Sequence, residues 1–229
     1  YETRWMHSPE IARGSLQNFI HHQKPDGSFY GAIMSGKSDD HVGFYHANWG
    51  RAVRQLHRIH PNYDFLNDIY HPLVKYASYF DTVRDREDWH LYDVINHWET
   101  GQEFSSRYQF VDSDADKGGN FQLKGVDATT YLYELQQTLA WMAAELGFEQ
   151  DVKNWEKAAS ETKSAIRTKM WDPERHVFTD VDPETGQQSP VKAATCFYPF
   201  FTDIVTKDHV PAIRQHLLNP NEFWTKYPV

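Results

Sequence analysis

The strongest pattern in the sequence is a helical one, over residues 127–147. Apolar residues recur there at gaps of three or four positions, so that they share one face of an α-helix. They are Tyr131, Leu132, Leu135, Leu139, Met142 and Leu146. Asp127 is the predicted N-cap. Gly147 is the predicted C-cap, because glycine readily takes the left-handed conformation that ends a helix.

A second stripe of apolar residues at helical spacing precedes this segment. Its members are Leu66, Ile69, Leu73, Tyr76, Phe80 and Val83. Pro72 lies within the stripe, where it must either kink the helix or mark the first turn of its main part. Further helices are predicted over residues 9–23, 44–60, 151–170, 193–204 and 207–218.

Strand signals in the sequence are few and short. Residues 29–30 could form a short strand, and the weak alternation over 176–182 is typical of a hairpin arm, with a turn at 183–186. Strands do not alternate with helices, as they would in a parallel α/β fold. The sequence therefore predicts an all-α protein, built from helical hairpins that are joined by loops of unequal length.

Composition limits the functions that such a protein can have. A chain of 229 residues with 40% hydrophobic residues suits one sizeable core, and so one domain. The net charge of −9 argues against a nucleic-acid partner, because binding phosphates requires a basic face. Apolar runs are only a few residues long, so we expect a soluble protein without a membrane span. A single cysteine, Cys196, excludes an internal disulfide and leaves compartment and oligomeric state open.

The two ends of the sequence have the character of cut ends. It begins at Tyr1 without a methionine or a signal-peptide pattern, and it stops at Val229 directly after an aromatic segment. We therefore expect residues 1–229 to be part of a single domain that is truncated at both ends. A missing leader then says nothing about export.

Residues 98–108 combine the residue types that acid chemistry on a sugar requires. Their order is Trp-Glu-Thr-Gly-Gln-Glu-Phe-Ser-Ser-Arg-Tyr. Two carboxylates lie four positions apart, hydroxyls and an arginine follow, and an aromatic stands at each end. A carboxylic acid of this kind can protonate a glycosidic oxygen while its neighbours bind sugar hydroxyls. The surrounding segment, about residues 89–124, is irregular, and so long a loop in a compact domain is usually functional.

The block at residues 99–108 resembles the signature of the family 37 trehalases. That signature reads Glu-Ser-Gly-Trp-Asp-Phe-Ser-Ser-Arg-Trp, against Glu-Thr-Gly-Gln-Glu-Phe-Ser-Ser-Arg-Tyr here. Other blocks are similar to those of the trehalases or of glycoside hydrolase family 63, which includes processing α-glucosidases and mannosylglycerate hydrolase relatives. They lie at residues 126–133, 170–173, 177–182, 193–201 and 223–229. The similarity runs in the family order from about residue 23 to the end.

This resemblance implies a fold and a mechanism. The family fold is an (α/α)6 toroid of helical hairpins with the active site at its mouth, and it needs a longer chain than this one. We therefore expect the toroid to be incomplete in this chain. These families invert the anomeric centre, and Glu103 matches their general acid, which is Asp in trehalases. They place the catalytic base in a segment beyond Val229, so the base is expected not to be in this chain.

The resemblance also implies a set of substrate contacts. The predicted substrate-binding residues are Trp98, Glu99, Gln102, Arg107, Tyr108, His46, Asn48 and Trp49. Tyr198 and Trp224 are weaker candidates. Two of the set have rival interpretations. Arg107 could form a structural ion pair with Glu99 or Glu103, and core packing is the better interpretation for Trp49.

A metal site is not expected. Asp112, Asp114 and Asp116 imitate the start of a calcium-binding EF-hand loop, but Lys117 and Leu123 stand where that loop has Gly and Glu. A solvated polar loop is the better interpretation, with a structural calcium site as the alternative. The histidines show none of the spacings of a catalytic zinc site, and no cofactor is predicted.

Two functions from different classes remain open. The first is an inverting glycoside hydrolase that acts on an α-linked glycoside, either an oligosaccharide or a small glycoside. The second is a non-catalytic carbohydrate-binding or scaffold protein on the same barrel, which the Asp-to-Glu change at Glu103 and the absent base would allow. In both, the partner is a carbohydrate. Gln102 replaces a tryptophan of the trehalase signature, which argues against trehalose itself.

Overall fold

The computed structural model of the protein describes residues 7–34 and 43–226, and α-helices dominate these ranges. The long α-helices of these ranges have eleven residues or more, and the apolar stripe of each packs against a core. They are α1 (Pro9–His21), α2 (Trp49–Ile59), α3 (Tyr63–Tyr79), α4 (Val126–Leu146) and α5 (Glu149–Ala165). The all-α prediction is confirmed.

Helix α4 is the centre of the packing, with α2, α3 and α5 against it. Its residues Leu139 and Met142 share one core with Leu66 and Ile69 of α3 and with Val53 of α2. All five side chains are almost wholly buried. Burial of each such side chain stabilises the fold by roughly 1.5–3 kcal/mol, so this cluster is a main source of stability for the packed helices.

The starts of the helices correct two predictions. The helix expected from residue 44 begins only at Trp49, because the Asn48 side chain caps it by accepting the Arg51 N–H at 3.0 Å. Asp127 is not the N-cap of α4. Gly125 occupies that position, and Asp127 lies in the first turn with its carboxylate turned to another partner. Gly147 ends α4 in the left-handed conformation with φ +80°, as predicted.

Several predicted helices contain turns that are wider (π) or tighter (3₁₀) than those of an α-helix. Helices α3 and α5 continue as π-helical turns over Phe80–Arg84 and Ile166–Met170. Pro72 lies within α3 and does not end it. The segment predicted as a helix over 193–204 is a 3₁₀-helix, Ala194–Phe201. The one predicted over 207–218 is split into a 3₁₀ turn, Lys207–His209, and a π turn, Ile213–Leu217.

Two short antiparallel ribbons flank the N-terminal end of α4. Strand β1 (Asp93–Val94) pairs with β2 (Leu123–Lys124), and β3 (Trp171–Asp172) pairs with β4 (Val177–Phe178). Single bridges join Lys124 to Val181 and Val181 to Gln188. The predicted hairpin arm at 176–182 is thus confirmed in outline, but its first partner is β3. No strand forms at residues 29–30.

The β1–β2 ribbon contains a buried charge cluster. Lys124 is fully buried, with its Nζ atom 2.5 Å from Glu87, 3.0 Å from Asp93 and 3.3 Å from Asp85. Burial raises the pKa of Asp93 to about 6, although the charge of Lys124 lowers it. The cluster holds the ribbon in place beside α4, and so fixes where the following loop starts.

The described ranges hold no helix that is both long and apolar enough to cross a membrane. Predictions that fall on residues 1–6, 35–42 and 227–229, including the last three residues of the final block of similarity, lie outside the described residues.

Candidate active site

The stretch predicted to carry the chemistry forms a loop of short turns between β1 and β2. Short 3₁₀ turns at His97–Glu99 and Tyr108–Phe110 flank it. The irregular character predicted for residues 89–124 is therefore confirmed, apart from the two-residue strands. Its two ends are buried, while the tip between them reaches solvent.

Glu99 holds the first end of the loop. It is only 5% exposed, and its two oxygens accept hydrogen bonds from Arg84 at 3.0 and 2.8 Å. His46 Nε2 lies 3.4 Å away, and the Ile95 N–H donates to the same carboxylate at 3.1 Å. Burial raises the pKa of Glu99, but His46 and Arg84 outweigh it, so that the pKa lies below its ordinary value.

These contacts change what Glu99 and His46 can do. Both were predicted to bind substrate, yet both side chains are buried and face each other. Arg84, which carries no motif, is the residue that sequence reasoning missed. Its guanidinium lies over the rings of Phe44 and Tyr79, 4.6 and 5.5 Å from their centroids.

Arg107 holds the second end of the loop and is fully buried. Its guanidinium donates two hydrogen bonds to Asp127, at 2.6 and 2.7 Å, and two to Asp180, at 2.5 and 2.7 Å. Asp180 also accepts the Val126 N–H at 2.9 Å, and Asp127 accepts the Ala128 N–H at 2.9 Å. One arginine thus joins the loop to the start of α4 and to the segment after β4.

Arg107 forms a structural ion pair, but with other partners than the sequence suggested. Its partners are Asp127 and Asp180, and neither Glu99 nor Glu103 is among them. Burial raises the pKa of Asp127, but the Arg107 charge lowers it more, and the net pKa lies below the ordinary range. Asp127 is therefore ionised, and Arg107 engages both oxygens of its carboxylate. This explains why Asp127 does not serve as a helix cap.

Tyr108 closes the base of the loop. Only 1% of it is exposed, and its hydroxyl forms a hydrogen bond with the Thr100 hydroxyl across the loop. Burial raises the pKa of Tyr108 to about 12, against the opposing effect of Arg107. Its ring stacks on Phe121 at 5.0 Å. Tyr108 was predicted to form a subsite wall, but its ring has almost no surface that a substrate could contact.

The tip of the loop has an unusual backbone. Gly101 and Phe104 have φ values of +69° and +61°. A Cβ atom at Gly101 would lie 2.5 Å from the Tyr45 hydroxyl, so only glycine fits that approach. Phe104 takes the same left-handed region although a non-glycine residue is strained there. The tip holds Gln102 and Glu103 between these two positions.

Tyr45 faces the tip, since its hydroxyl lies where a Cβ atom of Gly101 would point. Burial raises the pKa of the Tyr45 phenol, and the nearby groups of Glu103, Tyr198 and Asp127 raise it further. Tyr131 of α4 packs against Tyr198, with ring centroids 5.6 Å apart. Helical periodicity assigned Tyr131 to the core stripe, and no motif marked Tyr45.

Asn48 and Trp49, at the start of α2, both have partners within the protein. Besides capping α2, Asn48 donates a hydrogen bond to Glu134 Oε2 at 2.5 Å. Trp49 is 7% exposed and packs on Phe29 and Phe19, with ring centroids 4.7 and 5.5 Å away. Trp49 is thus a core residue, as its rival interpretation stated.

The groups that could hold a metal have other partners. Asp85, Asp88 and His90 bring ligand atoms within 4.8 Å of one another. However, Asp85 already accepts the N–H groups of Trp89 and His90, and it neighbours Lys124. In the run predicted as a polar loop or calcium site, Asp114 pairs with Lys117 at 2.8 Å. The calcium alternative rests on aspartate spacing alone.

Comparison with protein families identifies relatives of the whole sequence. The model of the mannosylglycerate hydrolase MGH1-like glycoside hydrolase domain matches residues 1–229. A periplasmic trehalase of Salmonella schwarzengrund is 24% identical over 125 residues, which cover 53% of this chain and 22% of the trehalase. The matched region is therefore about a fifth of the length of that relative.

Comparison with solved structures confirms the predicted toroid class of fold. The family 63 mannosylglycerate hydrolase of Thermus thermophilus, in complex with Tris and D-glycerate, superposes with a TM-score of 0.80 at 15% identity. The match covers 96% of this chain and 68% of that one. The neutral trehalase of Saccharomyces cerevisiae gives a TM-score of 0.61 at 15% identity, over 91% of this chain and 49% of that one.

Proposed function

The chain belongs to the mannosylglycerate hydrolase MGH1-like glycoside hydrolase family, and from this premise we propose that the full protein is an inverting glycosidase of an α-linked glycoside. Glu103 is its general acid in this proposal. The substrate is a carbohydrate in this proposal, as the family indicates, and the Tyr45 hydroxyl beside Gly101 adds a hydrogen-bonding group at the loop tip.

One observation carries the assignment of Glu103. Of the carboxylates close to the loop, Glu99, Asp127 and Asp180 are each held by an arginine. Across residues 7–34 and 43–226, by contrast, no hydrogen bond or ion pair engages the Glu103 side chain, which is half-buried. A general acid must be free to give its proton to the substrate. Glu103 is the loop carboxylate that meets this requirement.

The chemistry follows the scheme of inverting glycosidases. A water molecule attacks the anomeric carbon while the bond from that carbon to the leaving oxygen breaks. Glu103 transfers its proton to the leaving oxygen, and a second carboxylate takes a proton from the water. The two carboxyl groups of such enzymes lie about 6.5–9.5 Å apart, which leaves room for the water.

The second carboxylate is proposed to come from another part of the full-length protein. Asp127 and Asp180 are close to the loop, but both share the Arg107 guanidinium. The charge of Arg107 lowers the pKa of Asp127 despite its burial, which makes it a poor proton acceptor. Tyr45 and Gln102 offer a hydroxyl and an amide group at the tip, and we propose these two residues, together with Tyr131 of α4, as contacts to sugar hydroxyls.

The test is the Glu103→Gln variant in the full-length protein. With a panel of α-linked disaccharides, turnover should fall by roughly 10²–10⁴-fold, the range of general acid catalysis. Hydrolysis of α-glycosyl fluorides should fall much less, because fluoride leaves without a proton. Asp114→Asn, which removes an exposed carboxylate from the same segment, is the matched control and should leave both rates unchanged.

A non-catalytic carbohydrate-binding protein is the second candidate. The observation that favours it is the Glu at position 103, where the trehalase signature has Asp. Proton NMR of the first-formed product separates the two functions. Turnover with inverted anomeric configuration rejects the binding protein. Retention of configuration, or disaccharide hydrolysis at near-normal rate in Glu103→Gln, would contradict the proposed mechanism.

A further inference from the structure

Two exposed aromatic rings belong to the same loop as the proposed acid, and one of them, Phe104, follows it directly in the chain. Trp98 is 53% exposed and Phe104 is 65% exposed, and their ring centroids lie 5.6 Å apart in an edge-to-face arrangement. We call this pair the aromatic ledge. Both rings contact the buried ring of His97, at 4.3 and 5.1 Å. The ledge therefore has a rigid base within the protein, although its upper surface reaches solvent.

The ledge is maintained against a conformational cost. Phe104 has a φ of +61°, in the left-handed region that a bulky residue rarely takes. A hydrogen bond from the Phe104 N–H to His97 Nδ1, 3.4 Å long, holds this conformation. Strained residues of this kind concentrate at functional sites, where the strain places a group for use. Here the strained residue leaves most of its ring exposed, so the strain presents the ring and does not bury it.

We propose that the aromatic ledge binds the leaving group of the substrate, and that this leaving group is itself a pyranose ring. The inference rests on the proposed function of Glu103. Phe104 follows Glu103 in the chain, and the leaving oxygen is the atom that Glu103 protonates, so in this proposal the ledge serves the leaving-group side of the site. A pyranose presents a face of C–H groups, which suits an aromatic surface. The substrate is then a disaccharide or longer, rather than a glycoside of a small hydroxy acid or alcohol.

The size of the ledge also favours a sugar over a protein partner. Two aromatic side chains at these exposures present on the order of 250 Å². A stable protein interface buries about 800 Å² on each partner. The exposed area is therefore appropriate to one or two sugar rings. Gln102 and Ser106 lie at neighbouring positions of the tip and could donate to the ring hydroxyls.

The test compares two substrates that differ only in the leaving group. Wild-type protein, Phe104→Gly and Trp98→Ala are assayed on α-linked glucose and mannose disaccharides and on α-glucosyl and α-mannosyl fluoride. The ledge predicts a fall in kcat/KM of roughly fivefold to tenfold for the disaccharides in each variant. The fluorides carry no second ring, so their kcat/KM should stay within about twofold.

Phe104→Gly separates binding from stability. Glycine relieves the left-handed conformation, so the variant should unfold at the same temperature as wild type or higher, while disaccharide hydrolysis falls. Tyr63→Ala is the matched control, since Tyr63 is 55% exposed and packs edge to face on His57 at 5.2 Å. It lies at the start of α3, roughly 24 Å along the helix from the end that approaches Glu99, and should leave both substrates unaffected.

The outcomes also distinguish failure of the ledge from failure of the proposed function. Equal effects on disaccharides and fluorides, or no effect on either, would overturn the ledge while leaving the glycosidase in place. If no substrate is turned over, calorimetry with the same disaccharides and their monosaccharides replaces kinetics. The ledge then predicts tighter binding of the disaccharide, a preference that Phe104→Gly removes. Absence of that preference in wild type would overturn it.

Discussion

The ends and the tip of the Glu103 loop are built in opposite ways. At the ends, Glu99 and Arg107 are 5% and 0% exposed, and every charge has a close partner. At the tip, Phe104 is 65% exposed and, like Gly101, has a positive φ. The difference shows a division of roles. The buried ends fix where the loop lies, and the tip leaves side chains exposed, as the proposed function of Glu103 requires.

The energetics of buried ion pairs explain this division. A buried pair contributes little net stability compared with apolar residues of the same volume, but the loss of one partner leaves an uncompensated charge and is costly. Such pairs therefore specify an arrangement more than they strengthen it. Arg107 is the clearest case, because it joins three segments of the chain at one guanidinium. A catalytic acid that is held in position before the substrate arrives needs no reorganisation during the reaction.

The largest effect is expected at the second end of the loop. Arg107→Lys keeps the charge but cannot form the four hydrogen bonds to Asp127 and Asp180, so stability should fall by roughly 3–5 kcal/mol. The loss of stability is measured by urea unfolding. The control is Arg175→Lys, which weakens a partly exposed pair with Asp172 and should cost less than about 1 kcal/mol. Equal losses of unfolding free energy in the two variants would show that the buried ion pairs of Arg107 contribute no more than an exposed pair.

A smaller effect, with a defined pH dependence, is expected at the first end. Glu99→Gln leaves the buried charge of Arg84 without a full partner and should cost roughly 2–3 kcal/mol at pH 7. The pKa of Glu99 is lowered in the folded state despite its burial, because His46 and Arg84 stabilise the anion. Its contribution is therefore present above the unfolded pKa, about 4.3, and is lost as pH falls through the folded value.

Urea titrations at a series of pH values between 7 and 3 test this sign. The stability difference between wild type and Glu99→Gln should be largest at neutral pH and should shrink below about pH 4.3. A difference that grows on acidification would contradict the ion-pair role of Glu99.

The smallest of these effects is expected at the tip. Gly101→Ala places a Cβ atom against the Tyr45 hydroxyl and forces a left-handed alanine, at a cost of roughly 1–2 kcal/mol. Tyr45→Phe removes the hydroxyl and should recover part of that cost. A double-mutant cycle measures the coupling, and strict additivity of the two changes would show that Tyr45 and Gly101 do not meet as described.

Local patterns predicted much of this protein. Periodicity located α3, α4 and α5 and most of their buried faces, because side chains three or four positions apart meet on one helix face whatever lies elsewhere. Val83, at the end of its predicted stripe, is exposed instead. The irregular segment around Glu103 followed from the absence of that periodicity. The core position of Trp49 was also foreseen as the better of two interpretations.

Local patterns did not predict the contacts between distant segments. Nothing in residues 98–108 indicates that Arg107 pairs with Asp127 and Asp180, which lie 20 and 73 positions away. Asp127 was assigned to the helix cap because an acidic residue at a helix start is favourable in either role. Glu99 and its partner Arg84 are similarly separated by 15 positions without a shared motif.

The sequence by itself thus determined the helical class, the loop and its chemical content, since these depend on residue types and local spacing. Tertiary structure alone decided which members of the loop are supports and which are presented. Glu99, Arg107 and Tyr108 were predicted to contact substrate, and packing against α3, α4 and the segment after β4 buries them. Burial is a property of the whole fold, and it leaves Glu103, Trp98 and Phe104 at the surface of an otherwise fixed loop.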